Sequence, residues 1–571
     1  MPALIYQKDN FAAGPQFAIG QSDFEGLIEA NATLVDKTEV IQALIDSTDQ
    51  ITLFPRPRRF GKTLLMRMLK CFFEKSAQSK QHLFEPLKIW KAGEKYQAYQ
   101  GQYPVIYLSF KDIKEPDFEQ AYQKFQALIA EVYRYHRSLL ESPALDSAEK
   151  AHFQSILDET ASRKHLENSL LSLSRWLERA YQQKVILLLD EYDSPIHVAY
   201  AKNYYQEMIE FMRGLMGAAF KDNTHLYRGV ITGILRISKE SMFSDLNNLN
   251  VYSILSRKYG EYFGFTQEEL DLLLEKCQLQ SHRESIQTWY NGYQFGEWEI
   301  YNPWSIVNCL QNEGELRPYW VNTANNSLVA DMLAKADAGT KANLEKLLKD
   351  EPIEVQVSEG IVFNTLNLEA SALYSFLLFT GYLKAKHVRF ENRELCAQVS
   401  IPNEEVAILY QALFKNWMVD KIDLSNYDNL LSALTIGDMH EFERLLRLYI
   451  ESSMSYFDAD TQAEKFYHGF ILGILVGLTQ THDVRSNRET GFGRADIVVT
   501  PKDPTKLGII LEFKRCDSEK ALARDAKKAL VQIGQMHYIA EQKAQGITQI
   551  LLVGVSFHGK KIALKSKKIA G

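Results

Sequence analysis

The sequence predicts an α/β protein: a parallel sheet with flanking helices, a helical middle region, and a C-terminal domain of mixed α/β pattern. Three observations predict it. Between residues 50 and 235, short apolar runs alternate with longer helix-period stretches, as expected for strands joined by crossover helices. One of those runs leads directly into Arg56-Pro-Arg58-Arg59-Phe60-Gly61-Lys62-Thr63. Near the C-terminus two more apolar runs, Arg494-Ala-Asp496-Ile-Val-Val-Thr500 and Ile509-Ile-Leu-Glu512-Phe-Lys514, flank a turn built on Pro501, Asp503 and Pro504.

Taken in order, the expected strands of the first region are Ile51–Pro55, Val105–Phe110, Val185–Leu189 and Leu226–Thr232. Helical stretches lie between them at Leu64–Glu74, Phe118–Leu140 and His165–Tyr181. From roughly 265 to 400 the pattern is mostly helical, with clusters of Trp and Tyr. The last part returns to a mixed pattern, with helices over 461–478 and 519–542 and strands near 495–500, 507–514 and 547–555. A chain of 571 residues exceeds what one core supports, and the boundaries are expected at 1–265, 266–400 and 401–571.

Hydrophobic residues make up 46% of the chain and charged residues 24%, an ordinary globular composition. The net charge of −7 gives no overall attraction for nucleic acid, so any such binding requires local basic patches. The lysines of the tail (Lys560, Lys561, Lys565, Lys567 and Lys568) are one candidate, with a solvated terminus as the alternative. Five cysteines without paired spacing argue against a disulfide framework or a zinc ribbon and fit a reducing compartment. No basic region followed by an apolar stretch opens the chain, and its longest apolar run, Phe470–Leu478, is well short of the ~20 residues that span a bilayer. A cytoplasmic protein without membrane contact is expected.

The strand that ends at Pro55 feeds the strand, loop and helix setting that phosphate binding needs. Backbone N–H groups around Arg58, Arg59, Phe60 and Gly61 would cradle the phosphates of ATP, Lys62 would reach the β- and γ-oxygens, and Thr63 would ligate magnesium. Arg56 stands where the first glycine of G-x-x-x-x-G-K-[ST] belongs. A basic helix cap is the alternative. The apolar run Val185-Ile-Leu-Leu-Leu-Asp190-Glu191 ends in two acids, which costs desolvation unless a cation offsets it. Asp190 then suits the magnesium shell, and Glu191 suits polarising the attacking water. Asp193 reads as a cap for the next helix. Thr232, at the end of the third strand, suits sensing the γ-phosphate, and Arg236 suits balancing transition-state charge. A capped strand end with a solvated arginine is the alternative for that pair. Arg58 and Arg59 are also candidates for phosphate or partner contact.

At the other end of the chain, alternation puts Glu512 and Lys514 on one side of their strand, with Asp496 near the start of the neighbouring one. Two carboxylates can hold magnesium while a lysine positions or helps deprotonate water, which suits phosphodiester cleavage. A surface ion pair on a hairpin is the alternative.

Motifs through nearly the whole chain resemble a prokaryotic family of AAA-ATPase-like proteins with a C-terminal PD-(D/E)XK nuclease domain. Those motifs are Val35-Asp-Lys-Thr38, Arg56–Thr63, Leu189-Asp-Glu-Tyr-Asp-Ser-Pro195, Thr232-Gly-Ile-Leu-Arg236, Phe243-Ser-Asp-Leu-Asn-Asn248, Tyr290-Asn-Gly-Tyr293 and Tyr301-Asn-Pro-Trp-Ser305. Tyr319-Trp-Val-Asn-Thr323, Gly381-Tyr-Leu383, Gly493-Arg-Ala-Asp496 and Glu512-Phe-Lys514 complete the set. The resemblance implies a P-loop ATPase sheet and a nuclease domain of restriction-endonuclease type. It also implies a nuclease centre of Asp496, Glu512 and Lys514, joined by Glu464 from an earlier helix and Gln532 from a later one. Glu464 and His468 share a helix face, and a plain surface pair is their alternative. Tyr538 reads as packing, and Arg494 as a phosphate contact or a solvent-facing residue.

The expected activity is ATP binding and hydrolysis joined to magnesium-dependent cleavage of nucleic acid, DNA rather than RNA. The setting that the resemblance implies is defence against foreign DNA or the biology of mobile elements. A homo-oligomer is expected if an arginine is supplied in trans. The rival expectation is a nucleotide-dependent switch or scaffold that binds nucleic acid without cutting it.

Overall fold

The computed structural model describes residues 5–8, 14–237, 246–320, 329, 332–333, 338–348, 350–360, 370–410, 424–453, 471, 474–478, 481–486, 497–516, 518–533, 538–559 and 561–570. The chain forms two compact units. Met1–Met332 and Pro352–Val406 make the first, and Leu333–Glu351 and Ala407–Gly571 make the second.

The first unit is built on a five-stranded parallel sheet. Its strands are β1 (Ile51–Pro55), β2 (Val105–Ser109), β3 (Val185–Asp190), β4 (Leu226–Gly233) and β5 (Leu249–Val251), in the spatial order β2-β3-β4-β1-β5. Every residue of β1 and β3 is buried, because helices cover both faces of such a sheet and its strands read as continuous apolar runs. Helix α1 (Lys62–Phe73) starts after Gly61, whose φ of 83° is left-handed. It turns Leu65, Met66, Met68, Leu69, Phe72 and Phe73 inward. Helix α2 (Phe118–Tyr135) opens on Asp117, which accepts a hydrogen bond from the Gln120 N–H at 2.9 Å. One strand, β4, separates the loop-bearing β1 from the acid-bearing β3. All three end on the same edge, because they run parallel.

The middle stretch contains the expected helices, among them Gln267–Cys277, Arg283–Tyr290 and Pro303–Gln311. It also contains a hairpin, Tyr293–Phe295 with Trp298–Ile300, and an antiparallel sheet of Ile353–Gln356, Glu394–Ser400 and Lys384–Glu391. The sequence reading placed no strands there. The hairpin strands are three residues long and Ile353–Gln356 is four, too short for their alternation to stand out, and Lys384–Glu391 is exposed from its third residue onward.

The second unit carries a sheet in the order β6 (His482–Ser486), β7 (Ile497–Pro501), β8 (Gly508–Arg515), β9 (Gln549–His558), β10 (Lys561–Ala570). Only the β8–β9 pair is parallel, and α3 (Leu522–Ile533) lies in the connection between them. Alternate residues sort to opposite faces. Ile509, Leu511 and Phe513 join a core with Tyr427, Leu445 and Tyr449, while Ile510 packs with Ile533 and Ile547 on the side of α3. The tail lysines Lys561, Lys565, Lys567 and Lys568 are exposed on edge strand β10 rather than on a loose terminus, which is how charged side chains keep a sheet edge from pairing with other chains. Lys560 lies outside the described residues.

Candidate functional sites

At the C-terminal edge of the parallel sheet, Asp190 is fully buried and gathers hydroxyl groups from three neighbouring elements. Thr63 Oγ1 donates to its Oδ2 at 2.8 Å and Thr232 Oγ1 to its Oδ1 at 2.5 Å. Ser109 Oγ lies 3.5 Å from Oδ2. Thr232 in turn accepts from the Glu191 N–H at 3.3 Å. Glu191 has a φ of 52°, a left-handed conformation that a residue with a Cβ adopts at a cost. The parallel register explains Ser109, which pairs with Asp190 across β2 and β3. The sequence reading missed it, and its only local signal is a hydroxyl at the end of an apolar run.

The loop itself is tightly tethered. Lys62 Nζ donates to the carbonyls of Arg56 and Pro57, both at 2.9 Å. Burial pulls the Lys62 pKa below the usual lysine value against the opposing pull of Glu191, Asp193 and Asp190. Arg56 is fully buried. Its guanidinium donates to the Pro55 carbonyl at 2.9 Å and to the Tyr252 carbonyl at 2.6 Å, and lies over the Phe263 ring at 4.6 Å. The residue in place of the first glycine therefore pins the loop from behind. Phe60 is fully buried between Tyr293 and Phe295, each with ring centroids 5.0 Å away. Arg58 and Arg59 are exposed, and the Arg59 guanidinium lies 4.2 Å over the Trp304 ring. Left-handed Arg59 (φ 68°) and Gly61 (φ 83°) flank Phe60, an alternation in which successive N–H groups can converge on an anion.

The segment after β4 is held by two residues of the acidic motif. Tyr192 OH donates to the Leu235 carbonyl at 2.7 Å and accepts from the Ile237 N–H at 3.1 Å. Asp193 does not cap the helix Ser194–Ala201 with its side chain. Its Oδ2 instead accepts from the N–H groups of Ile234 at 2.8 Å and Leu235 at 2.9 Å, with His197 Nε2 at 3.1 Å. Burial works to raise the Asp193 pKa, but His197 and the two N–H donors outweigh it and the pKa is lowered. Arg236 is half-buried on this tethered segment.

These groups fit the ligands that the loop implies. Thr63 and Asp190 are hard oxygen donors in contact, as magnesium requires, and Lys62 sits on the helix that opens at the loop.

In the second unit, Glu512 on β8 is buried, and its Oε1 accepts from Gln532 Nε2 of α3 at 2.5 Å. Lys514, two residues on, is half-buried on the same face of β8. Helix and strand come this close because Gly554 of β9, the register partner of Glu512, lies under α3. A Cβ there would stand 2.3 Å from the Ala526 carbonyl oxygen and 2.5 Å from the Leu530 nitrogen. Ile497 pairs with Leu511, and Asp496 precedes it in the chain. Asp496, Glu464, His468 and Arg494 lie outside the described residues, as does the Tyr538 side chain. Among the described residues, no three His, Cys, Asp or Glu side chains cluster as a metal site. Glu512 supplies one hard carboxylate that fits magnesium. All five cysteines are free thiols, and no helix among the described residues is long and apolar enough to cross a membrane.

Comparison with known proteins gives two family matches, one in each half of the chain. Residues 18–243 match the family described as predicted AAA-ATPase, and residues 462–567 match the PD-(D/E)XK nuclease superfamily. The chain is also 25% identical over 532 residues to an uncharacterised protein of the vnfD 5′ region in Azotobacter chroococcum mcd 1, covering 92% of each sequence.

Proposed function

We propose that this chain, which joins an AAA-ATPase-like domain to a PD-(D/E)XK nuclease domain, binds and hydrolyses ATP and cleaves nucleic acid, DNA in preference to RNA, with magnesium at both centres. The observation that supports the reading is a polar cluster in each compact unit: Asp190 with its three hydroxyl groups, and Glu512 with Gln532.

In the first site, Arg58, Arg59, Phe60 and Gly61 form the loop, Lys62 supplies the counter-charge, Thr63 and Asp190 hold the metal, and Glu191 orients water. Thr232 fixes Asp190 and the start of the Glu191 turn, and Arg236 faces developing charge unless an arginine from a second copy does so. In the second site, Asp496 and Glu512 hold the metal, Glu464 adds a carboxylate, Lys514 positions the attacking water, and Gln532 holds Glu512. Magnesium bound at these carboxylates would polarise the phosphodiester and ease deprotonation of water. Work in the cytoplasm against foreign DNA or on mobile elements is the setting that suits such a pair of activities.

The test is a cleavage assay on labelled DNA and RNA with magnesium, run beside ATP-binding measurements. Asp496→Ala and Glu512→Ala should each abolish cutting and leave ATP binding at the parent's level. Parental cutting by Asp496→Ala would remove the nuclease assignment. ATP-dependent assembly on DNA without products would favour a scaffold.

A further inference from the structure

The phosphate loop is shaped by groups far away in sequence, and one chain of contacts ends at a buried acid. Trp320 Nε1 donates to the carbonyl of Arg58 at 3.2 Å. The backbone N–H of Trp320 donates to Glu405 Oε1 at 2.5 Å, and Ser305 Oγ donates to Glu405 Oε2 at 2.7 Å. Trp320 is 1% exposed and Glu405 is fully buried. The indole packs against Tyr382 at 5.3 Å and Tyr293 at 6.3 Å, and Tyr293 is one of the two rings that hold Phe60. The stretch that presents Glu405 is itself fixed, since Asn403 Nδ2 donates to the Asn291 carbonyl at 2.9 Å.

In a trans peptide the C=O of one residue and the N–H of the next point in opposite directions. Holding the Arg58 carbonyl on Trp320 therefore turns the Arg59 N–H away from Trp320. Where the first glycine of the motif is missing, the loop cannot rely on that residue's backbone freedom to reach this arrangement. We propose that Trp320 and Glu405 are positioning residues of the nucleotide site: Glu405 fixes the Trp320 backbone, and the Trp320 indole fixes the peptide plane between Arg58 and Arg59 in the orientation that receives phosphate. The inference rests on the nucleotide-site reading above.

The test is ATP titration by calorimetry with the full chain and magnesium, together with steady-state hydrolysis. Trp320→Phe keeps an aromatic ring and removes the N–H donor. It should raise both the dissociation constant and KM by about five- to tenfold, the weight of one hydrogen bond, with kcat within about threefold of the parent's, as for loss of uniform binding. Ser305→Ala and Glu405→Gln should weaken binding in the same direction but less. Because Glu405 acts through Trp320, adding Glu405→Gln to Trp320→Phe should weaken ATP no further. Melting without nucleotide separates these effects from unfolding, and if Trp320→Phe fails to fold, Ser305→Ala decides. Parental affinity in Trp320→Phe, or in Ser305→Ala where it decides, overturns the proposal, as do additive effects in the double variant. Lys62→Ala separates the two readings. Normal ATP binding by that variant removes the nucleotide site itself, whereas its loss alongside parental binding in the clamp variants removes the clamp alone.

Discussion

Glu191 carries both a strained backbone and the proposed role in orienting water, and the two belong together. Its φ of 52° costs about 1 kcal/mol for a residue with a Cβ. The turn is held by the hydrogen bond from its N–H to Thr232 and by the Tyr192 N–H to the Thr232 carbonyl at 3.0 Å. Thr232 thus grips Asp190 with its hydroxyl and fixes where the next side chain leaves the strand. If Glu191 orients the attacking water, Glu191→Gln should keep ATP bound at close to parental affinity while turnover falls by about 100-fold or more. The amide fills the same space and relieves none of the backbone strain, so thermal stability should move little. ATP turnover within a few-fold of the parent's would take that role from Glu191.

At the scale of elements, the approach of α3 to β8 and β9 decides the geometry around Glu512. Gly554 leaves room for it, and the atoms that a Cβ would meet are helix backbone, Ala526 O at 2.3 Å and Leu530 N at 2.5 Å, which cannot rotate aside as a side chain would. Gly554→Ala must lift α3 off the sheet, costing about 1–3 kcal/mol as overpacking does and lengthening the contact from Gln532 to Glu512. Nucleic-acid cleavage should fall and chemical denaturation should shift to lower denaturant, while ATP hydrolysis persists. Parental stability and cleavage would show that the helix has slack at this point. The same scale explains what could be read beforehand. Strands β1, β3 and β4 are mostly apolar and stand out against polar turns, so their ends, and with them the places of Thr63, Asp190 and Thr232, were legible. Ser109 was not, because nothing local says that β2 lies beside β3. Trp320 and Glu405 were beyond reach for the same reason, since their partners are set by packing rather than by spacing. The exposed strand Lys384–Glu391, with a register shift between Lys386 and Arg389, has no buried face to impose a pattern.

Over the whole molecule, the chain crosses between its two compact units after Met332, Glu351 and Val406, yet each proposed site draws its described residues from one unit alone. The second unit has a core of its own, in which Tyr427, Leu430 and Tyr449 pack on Leu511, Val553 and Phe557. A ligand stabilises only the cooperative unit that binds it, by about 2.7 kcal/mol at a free concentration one hundred times its dissociation constant. Scanning calorimetry should then resolve two transitions, of which ATP with magnesium raises one by a few degrees. Lys62→Ala should cancel that rise and leave the other transition where it was. Glu512→Ala should leave the ATP-induced rise intact, because Glu512 belongs to the second unit and the nucleotide-site residues to the first. One transition that moves as a whole with ATP would mean that the two units unfold as a single cooperative body, and that the second is stabilised by nucleotide bound to the first.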